Sequence, residues 1–168
     1  MNRRQMILLT GAAFGAAIAS GAVAGPKIST DTLPGANFAQ YKTFAWANTA
    51  PPAGMDPVAF ARIVQDIEGM MARKGYAKVA SNPDLVLVLS LGAQNKTDIN
   101  SFGFFGQQLD VYQYTEGHLS LDAFDAKTKQ AVWHGQAAGT IHPNKPNPAK
   151  AEEAIEKMMN KFPASGTA

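Results

Sequence analysis

The sequence predicts an α+β domain, a mainly antiparallel sheet of about 4–6 strands with two helices packed on it. Three observations predict it. Two segments, beginning at Asp56 and Asn147, carry apolar residues at helical spacing behind clear capping residues. Several shorter segments alternate, or run apolar, in the manner of strands. Two of these, Glu116 to Asp125 and Gln130 to Ile141, are joined by the polar, turn-compatible Ala126-Lys127-Thr128-Lys129, as in a hairpin.

Taken in order, the chain begins with an export signal. Met1 to Gln5 is short and basic, Met6 to Val23 carries no charge, and Ala22-Val23-Ala24 supplies the small residues of a peptidase site. The apolar stretch is interrupted by Gly11, Gly15, Ser20 and Gly21, which makes it a poor membrane span. Cleavage is expected between Ala24 and Gly25. Asn2-Arg3-Arg4-Gln5-Met6-Ile7 is similar to a twin-arginine motif but lacks its usual Phe, so an ordinary secretory route stays open.

Residues 25–40 are rich in Gly, Pro, Thr, Asp and Asn, with Ile28, Leu33 and Phe38 as apolar anchors for a short edge strand. Tyr41 to Trp46 alternates and is aromatic, hence a strand. Asp56 then caps a helix with Pro57 at its first position, and Phe60, Ile63, Val64, Ile67, Met70 and Met71 form its buried stripe. Arg73 and Lys74 suit its C-terminus, and Gly75 ends it. Tyr76 to Val79 reads as a short strand. Leu85 to Leu91, uninterrupted and apolar after Asn82-Pro83-Asp84, reads as a central strand covered on both faces.

Residues 94–113 show neither period and read as a long loop, Ser101-Phe102-Gly103-Phe104-Phe105-Gly106 being its unusual part. The hairpin follows, with Glu116-Gly117 expected at a bulge and Asp125 setting the turn through its side chain. Asn147 and Pro148 then open a second helix, with Glu152 and Glu153 in its first turn. Its buried stripe is Ala151, Ala154, Ile155, Met158, Met159 and Phe162. The domain organisation is an export signal over 1–24, one domain over 25–163 and a flexible tail over 164–168.

Spread along the mature chain are features that resemble a bacterial envelope family, domain of unknown function 4136. They are Tyr41 to Trp46, Lys74-Gly75-Tyr76, Asn82-Pro83-Asp84-Leu85, Glu116 to Asp122, Phe124 to Lys129, Val132-Trp133-His134-Gly135 and Lys161-Phe162-Pro163. The resemblance implies an exported α+β domain and no established activity. Many relatives look like lipoproteins; this chain has no cysteine to acylate, so no lipid anchor carries over.

The formal charge balance, 15 Lys+Arg against 13 Asp+Glu, becomes neutral once Arg3 and Arg4 leave with the signal. Nucleic acid is therefore not expected as a partner. The absence of Cys excludes a thiol nucleophile, a Cys-type zinc site and disulfides in the exported domain. No nucleophile elbow, His-Glu-x-x-His, phosphate loop or dinucleotide glycine pattern is present, and nothing calls for a cofactor. His118 and His134 lie on the two hairpin strands, where Asp122 or Asp125 could join them as a metal site or acid/base pair. His142 completes the set of histidines. Ordinary solvent-facing strand residues are the blander reading of all of them.

Phe102, Phe104 and Phe105, with Tyr112 and Tyr114 behind them, form a candidate interaction loop, because aromatic clusters of this size mark partner, ligand or membrane contacts when exposed. Folding back over the sheet would instead make them core. The expected function is a non-catalytic binding or assembly domain of the cell envelope, its partner an envelope protein or ligand. A small hydrolase built on the hairpin His and Asp residues, and a membrane-docking module using the aromatic loop, are the alternatives.

Overall fold

The computed structural model describes residues 25–51, 55–101, 109–141 and 147–167, the side chains of 98–101, 109–112 and 141 excepted. Residues 1–24, the expected export signal, lie outside them, as do Phe102, Phe104, Phe105 and His142. The elements are β1 (Lys27–Thr32), a short 3-10 turn (Phe38–Gln40), β2 (Thr43–Trp46), α1 (Pro57–Arg73), β3 (Ala77–Lys78), β4 (Leu85–Ser101), β5 (Leu109–Asp125), β6 (Ala131–Ile141) and α2 (Pro148–Asn160). The sheet has six strands in the order β1-β6-β5-β4-β2-β3.

Most pairings are antiparallel, but β2 runs parallel to both β3 and β4, so the sheet is mixed rather than mainly antiparallel. The cause is α1. A helix inserted between β2 and the next strands carries the chain back to the starting end of the sheet, and the strand that follows must run parallel.

Both helices start where their capping residues predict, but only α1 is capped by a side-chain bond. Asp56 accepts a bond from the Val58 N–H at 3.0 Å, and Gly75 takes a left-handed φ of 88° after the last turn of α1. Asn147 sits at the start of α2 but makes no side-chain cap bond. Glu152 and Glu153 fall past its first turn, because Pro148 opens the helix, and Glu153 pairs instead with Lys157 one turn on, at 2.5 Å.

The helices pack on each other and share one face of the sheet. Leu85, Leu87, Leu89, Leu119, Leu121, Ala123, Trp133 and Ala137 point into that core from the strands. Phe60, Ile67, Met70, Met71, Ile155, Met158 and Met159 meet them from the helices. Phe162 closes the layer, with its ring 4.8 Å from Trp133, 5.7 Å from Tyr76 and 5.9 Å from Phe38. The expectation of a strand covered on both faces is corrected here. Leu85, Leu87 and Leu89 are buried, whereas Val86 and Val88 are half-buried and Ser90 is exposed.

The expected long loop over 94–113 is also corrected. Residues 94–101 continue β4 and 109–113 begin β5, and the ladder runs unbroken from Leu85↔Asp125 to Ser101↔Leu109. β6 is described only as far as Thr115↔Ile141, so among the described residues the far part of β4 and β5 is a two-stranded ribbon. The chain after α2 stays on the body. The Ser165 N–H donates to Lys74 O at 2.8 Å, and its hydroxyl donates to Tyr41 O at 2.8 Å.

Candidate functional site

Alternation along β5 sends Leu119, Leu121 and Ala123 to the core and Glu116, His118, Ser120 and Asp122 to the opposite face. The ladders extend that polar face sideways. Asp122 lies beside His134, which lies beside Asp31; Ser120 beside Gln136 and Ser29; His118 beside Ala138 and Lys27. Neither described helix packs on this face, and it is where the titratable side chains gather.

The hairpin histidines share the face without forming one centre. His134 Nδ1 is 2.6 Å from Asp122 Oδ1, directly across the strands. His118 pairs in register with Ala138, four residues along β6 from His134, and its Nε2 lies 3.3 Å from Glu116 Oε2. Each histidine therefore has its own carboxylate. Among the described residues no group of three or more His, Cys, Asp or Glu could hold a metal ion.

Asp125 is not part of the face. Its carboxylate accepts from the Lys127 and Thr128 N–H groups at 2.8 and 2.9 Å, and from the Tyr41 hydroxyl at 2.8 Å. It sets the turn, as the sequence suggests, and these bonds hold its carboxyl below the usual range, the Thr128 N–H contributing most. The expected bulge at Glu116-Gly117 is absent, since that stretch pairs regularly. The register shift falls between Ala123 and Phe124 instead, and both Val132 and Trp133 opposite it are buried.

Glu116 is the functional candidate that sequence reasoning missed. It is the one buried charged residue among those described, at 6% exposure. Its carboxylate is paired with Lys96 of β4 and borders His118. The hydrogen bond from Lys96 pulls its pKa down; burial opposes this, and the charges of Lys96, His118 and Lys27 add to the lowering. With Lys27, Ser29 and Gln136 these residues line a shallow open hollow on the polar face. The polar period Glu116, His118, Ser120, Asp122 was visible in the sequence, but only the strand register brings Lys96 across to Glu116.

Of the candidate aromatic loop, Phe102, Phe104 and Phe105 fall between the paired residues Ser101 and Leu109, outside the described residues. Tyr112 pairs with Asp98 in the ladder, its side chain likewise outside the described set, and Tyr114 is half-buried beside Lys96. No described helix is long and apolar enough to cross a membrane.

The model of the family described as Domain of unknown function (DUF4136) matches residues 28–164. Among solved structures, a DUF4136 family protein (BT2437) from Bacteroides thetaiotaomicron is 16% identical, covering 82% of this chain and 96% of its own, with a TM-score of 0.58. A PelC dodecamer from Paraburkholderia phytofirmans is 13% identical over 83% of this chain and 98% of its own, with a TM-score of 0.54. A PDZ domain protein from Parabacteroides distasonis is 14% identical over 85% of this chain, with a TM-score of 0.57, and this chain spans only 38% of it. At these identities the likeness is one of fold. No curated protein matches the chain.

Proposed function

This chain belongs to the DUF4136 family, and from that membership we propose that it is an exported cell-envelope protein whose domain binds or assembles with another envelope component and performs no catalysis. The observation that carries the reading is the one-sided sheet. Helices cover one face, the other presents a broad polar surface, and its titratable groups pair off locally instead of converging on one point. Charged and polar groups spread over a surface give specificity toward a partner of complementary charge. The PelC structure is an assembly of this fold, which supports a role in assembly here. Export rests on residues 1–24. Mass spectrometry of the chain recovered from the envelope fraction is expected to find Gly25 as its first residue. Recovery from the cytoplasm with residues 1–24 attached would refute the localisation.

One observation favours a second reading. The 2.6 Å bond between His134 Nδ1 and Asp122 holds an imidazole whose side chain is 46% exposed, as a hydrolase base would require. On the binding reading, His134→Ala has no turnover to abolish. It also changes stability by less than about 1 kcal/mol, because exposed ion pairs contribute little. A hydrolytic activity on ester, amide or glycoside probes that disappears in His134→Ala, with the melting temperature unchanged, would replace the binding reading by the hydrolase.

A further inference from the structure

Among the described residues β4 has the longest free edge. On its outer side β2 pairs with Leu85, Val86 and Leu87 only, and the Ala47 N–H donates to Leu87 O at 2.8 Å. In a strand, the N–H and C=O of one residue point to the same side and alternate from residue to residue. Leu87 therefore fixes the pattern, and the backbone groups of Leu89, Leu91, Ala93, Asn95, Thr97, Ile99 and Ser101 turn away from β5. Among the described residues no strand meets them. The ribbon they belong to lies beyond β6, and a two-stranded ribbon in water is marginal until a further strand pairs with it.

Natural edges of this length are blunted by Pro, by bulges or by repeated charge. This one has no Pro, pairs regularly with β5 throughout, and carries no charge from Leu85 to Asn95. The first charges, Lys96 and Asp98, are of opposite sign.

We infer that the outer edge of β4, from Leu89 to Ser101, is the interface between two copies of this chain, paired antiparallel about Asn95. The inference deepens the assembly reading and rests on it. That register uses the whole free edge, Leu89 of one copy meeting Ser101 of the other, and stops short of β2. It sets no like charges opposite one another, since Lys96 meets Gln94 and Asp98 meets Gly92. A two-fold axis perpendicular to the sheet then keeps the helices of both copies on one side and joins their polar faces into one surface.

The chain contains no cysteine, so single cysteines report the pairing directly. Asn95 lies on the proposed axis, where its Cα and that of the second copy would stand about 5.5 Å apart, within disulfide range. Under mild oxidation, Asn95→Cys is expected to form a disulfide dimer rapidly, while Val58→Cys, at an exposed site on α1, stays reduced. By light scattering, the wild type is expected to have twice the mass of one chain. Thr97→Pro, which removes an N–H pointing away from β5 and so spares the intramolecular ladder, is expected to halve that mass with the circular-dichroism melt retained. A wild type with the mass of one chain, or Asn95→Cys cross-linking no faster than Val58→Cys, overturns the inference. An extended segment of another protein as the true occupant of this edge would give that result. A monomer that is still exported and still binds an envelope component would leave the proposed function standing.

Discussion

Replacing Gly135 with alanine is expected to destabilise the domain by about 3 kcal/mol, the upper end of what overpacking a core costs. Gly135 follows Trp133 by two residues on the core face of β6, and the outer edge of the indole's six-membered ring lies against it. A Cβ built on Gly135 would stand 2.1 Å from Trp133 Cη2, 2.7 Å from Cζ3 and 2.9 Å from Cζ2. The indole has nowhere to go, being 1% exposed and stacked edge-on to Phe162 at 4.8 Å. Moving the backbone instead would disturb the Leu121↔Gly135 and Thr30↔Gly135 pairings. Urea unfolding of the purified domain measures the cost. Trp133→Leu removes the three clashing atoms, so adding Gly135→Ala in that background is expected to cost far less, a coupling a double-mutant cycle reads directly. If Gly135→Ala falls within about 0.5 kcal/mol of wild type, the level of an ordinary surface change, the tight seating of Trp133 is wrong.

Asp84→Ala is expected to cost about 2–3 kcal/mol at neutral pH, in line with the loss of hydrogen bonds to a charged acceptor. One carboxylate oxygen of Asp84 accepts from the Lys42 N–H at 2.9 Å, the Thr43 N–H at 3.0 Å and the Thr43 hydroxyl at 2.9 Å. The Asp84 carbonyl in turn accepts from the Ala126 N–H at 2.9 Å. Asp84 and Asp125 thus tie the start of β2 to the β5–β6 turn. The left-handed φ of 50° at Asn82 lets the chain arrive at that point, a backbone state that Asn tolerates better than most residues.

The Lys42 N–H is the largest cause of the lowered Asp84 pKa; burial opposes it, and the bonds from Thr43 reinforce it. Because the folded pKa lies below the unfolded one, the carboxylate stabilises fully above the unfolded value. That contribution is lost as pH falls toward the folded value. The gap between wild type and Asp84→Ala is therefore expected to be constant from about pH 5 to 8 and to close below about pH 4. Unfolding midpoints across that range test the claim, and a gap that widens in acid would contradict it. Asp125 adds to the same acid sensitivity, its pKa being lowered by its turn.

The run Val132-Trp133-His134-Gly135 shows how much a motif conceals until its neighbours are known. Trp133 and Gly135 are a packing pair, whereas His134 between them faces the other way and meets Asp122. Alternation foretells the split, but not that the indole lies back over Gly135. The capped α1, the β5–β6 hairpin and its Asp125 turn were legible for a similar reason, because their signals are local. Caps, left-handed glycines and turn aspartates act within a few residues of themselves.

The far part of β4 was not legible. Gln94 to Thr97 is exposed on both faces, and the sequence from Gln94 to Ser101 carries no apolar period to mark it. Its strand identity comes only from pairing with β5, which the sequence presents as a distant segment. The same holds for the parallel β2, for the single covered face of β4 and for Glu116, whose Lys96 partner arrives across the ladder. By itself, then, the sequence determined the elements with local signals, the family and the expectation of export. The tertiary structure alone decided the order of the strands, which face is free and which charges meet, because those depend on register between segments far apart in the chain, and a shift of one residue would turn every side chain to the other side.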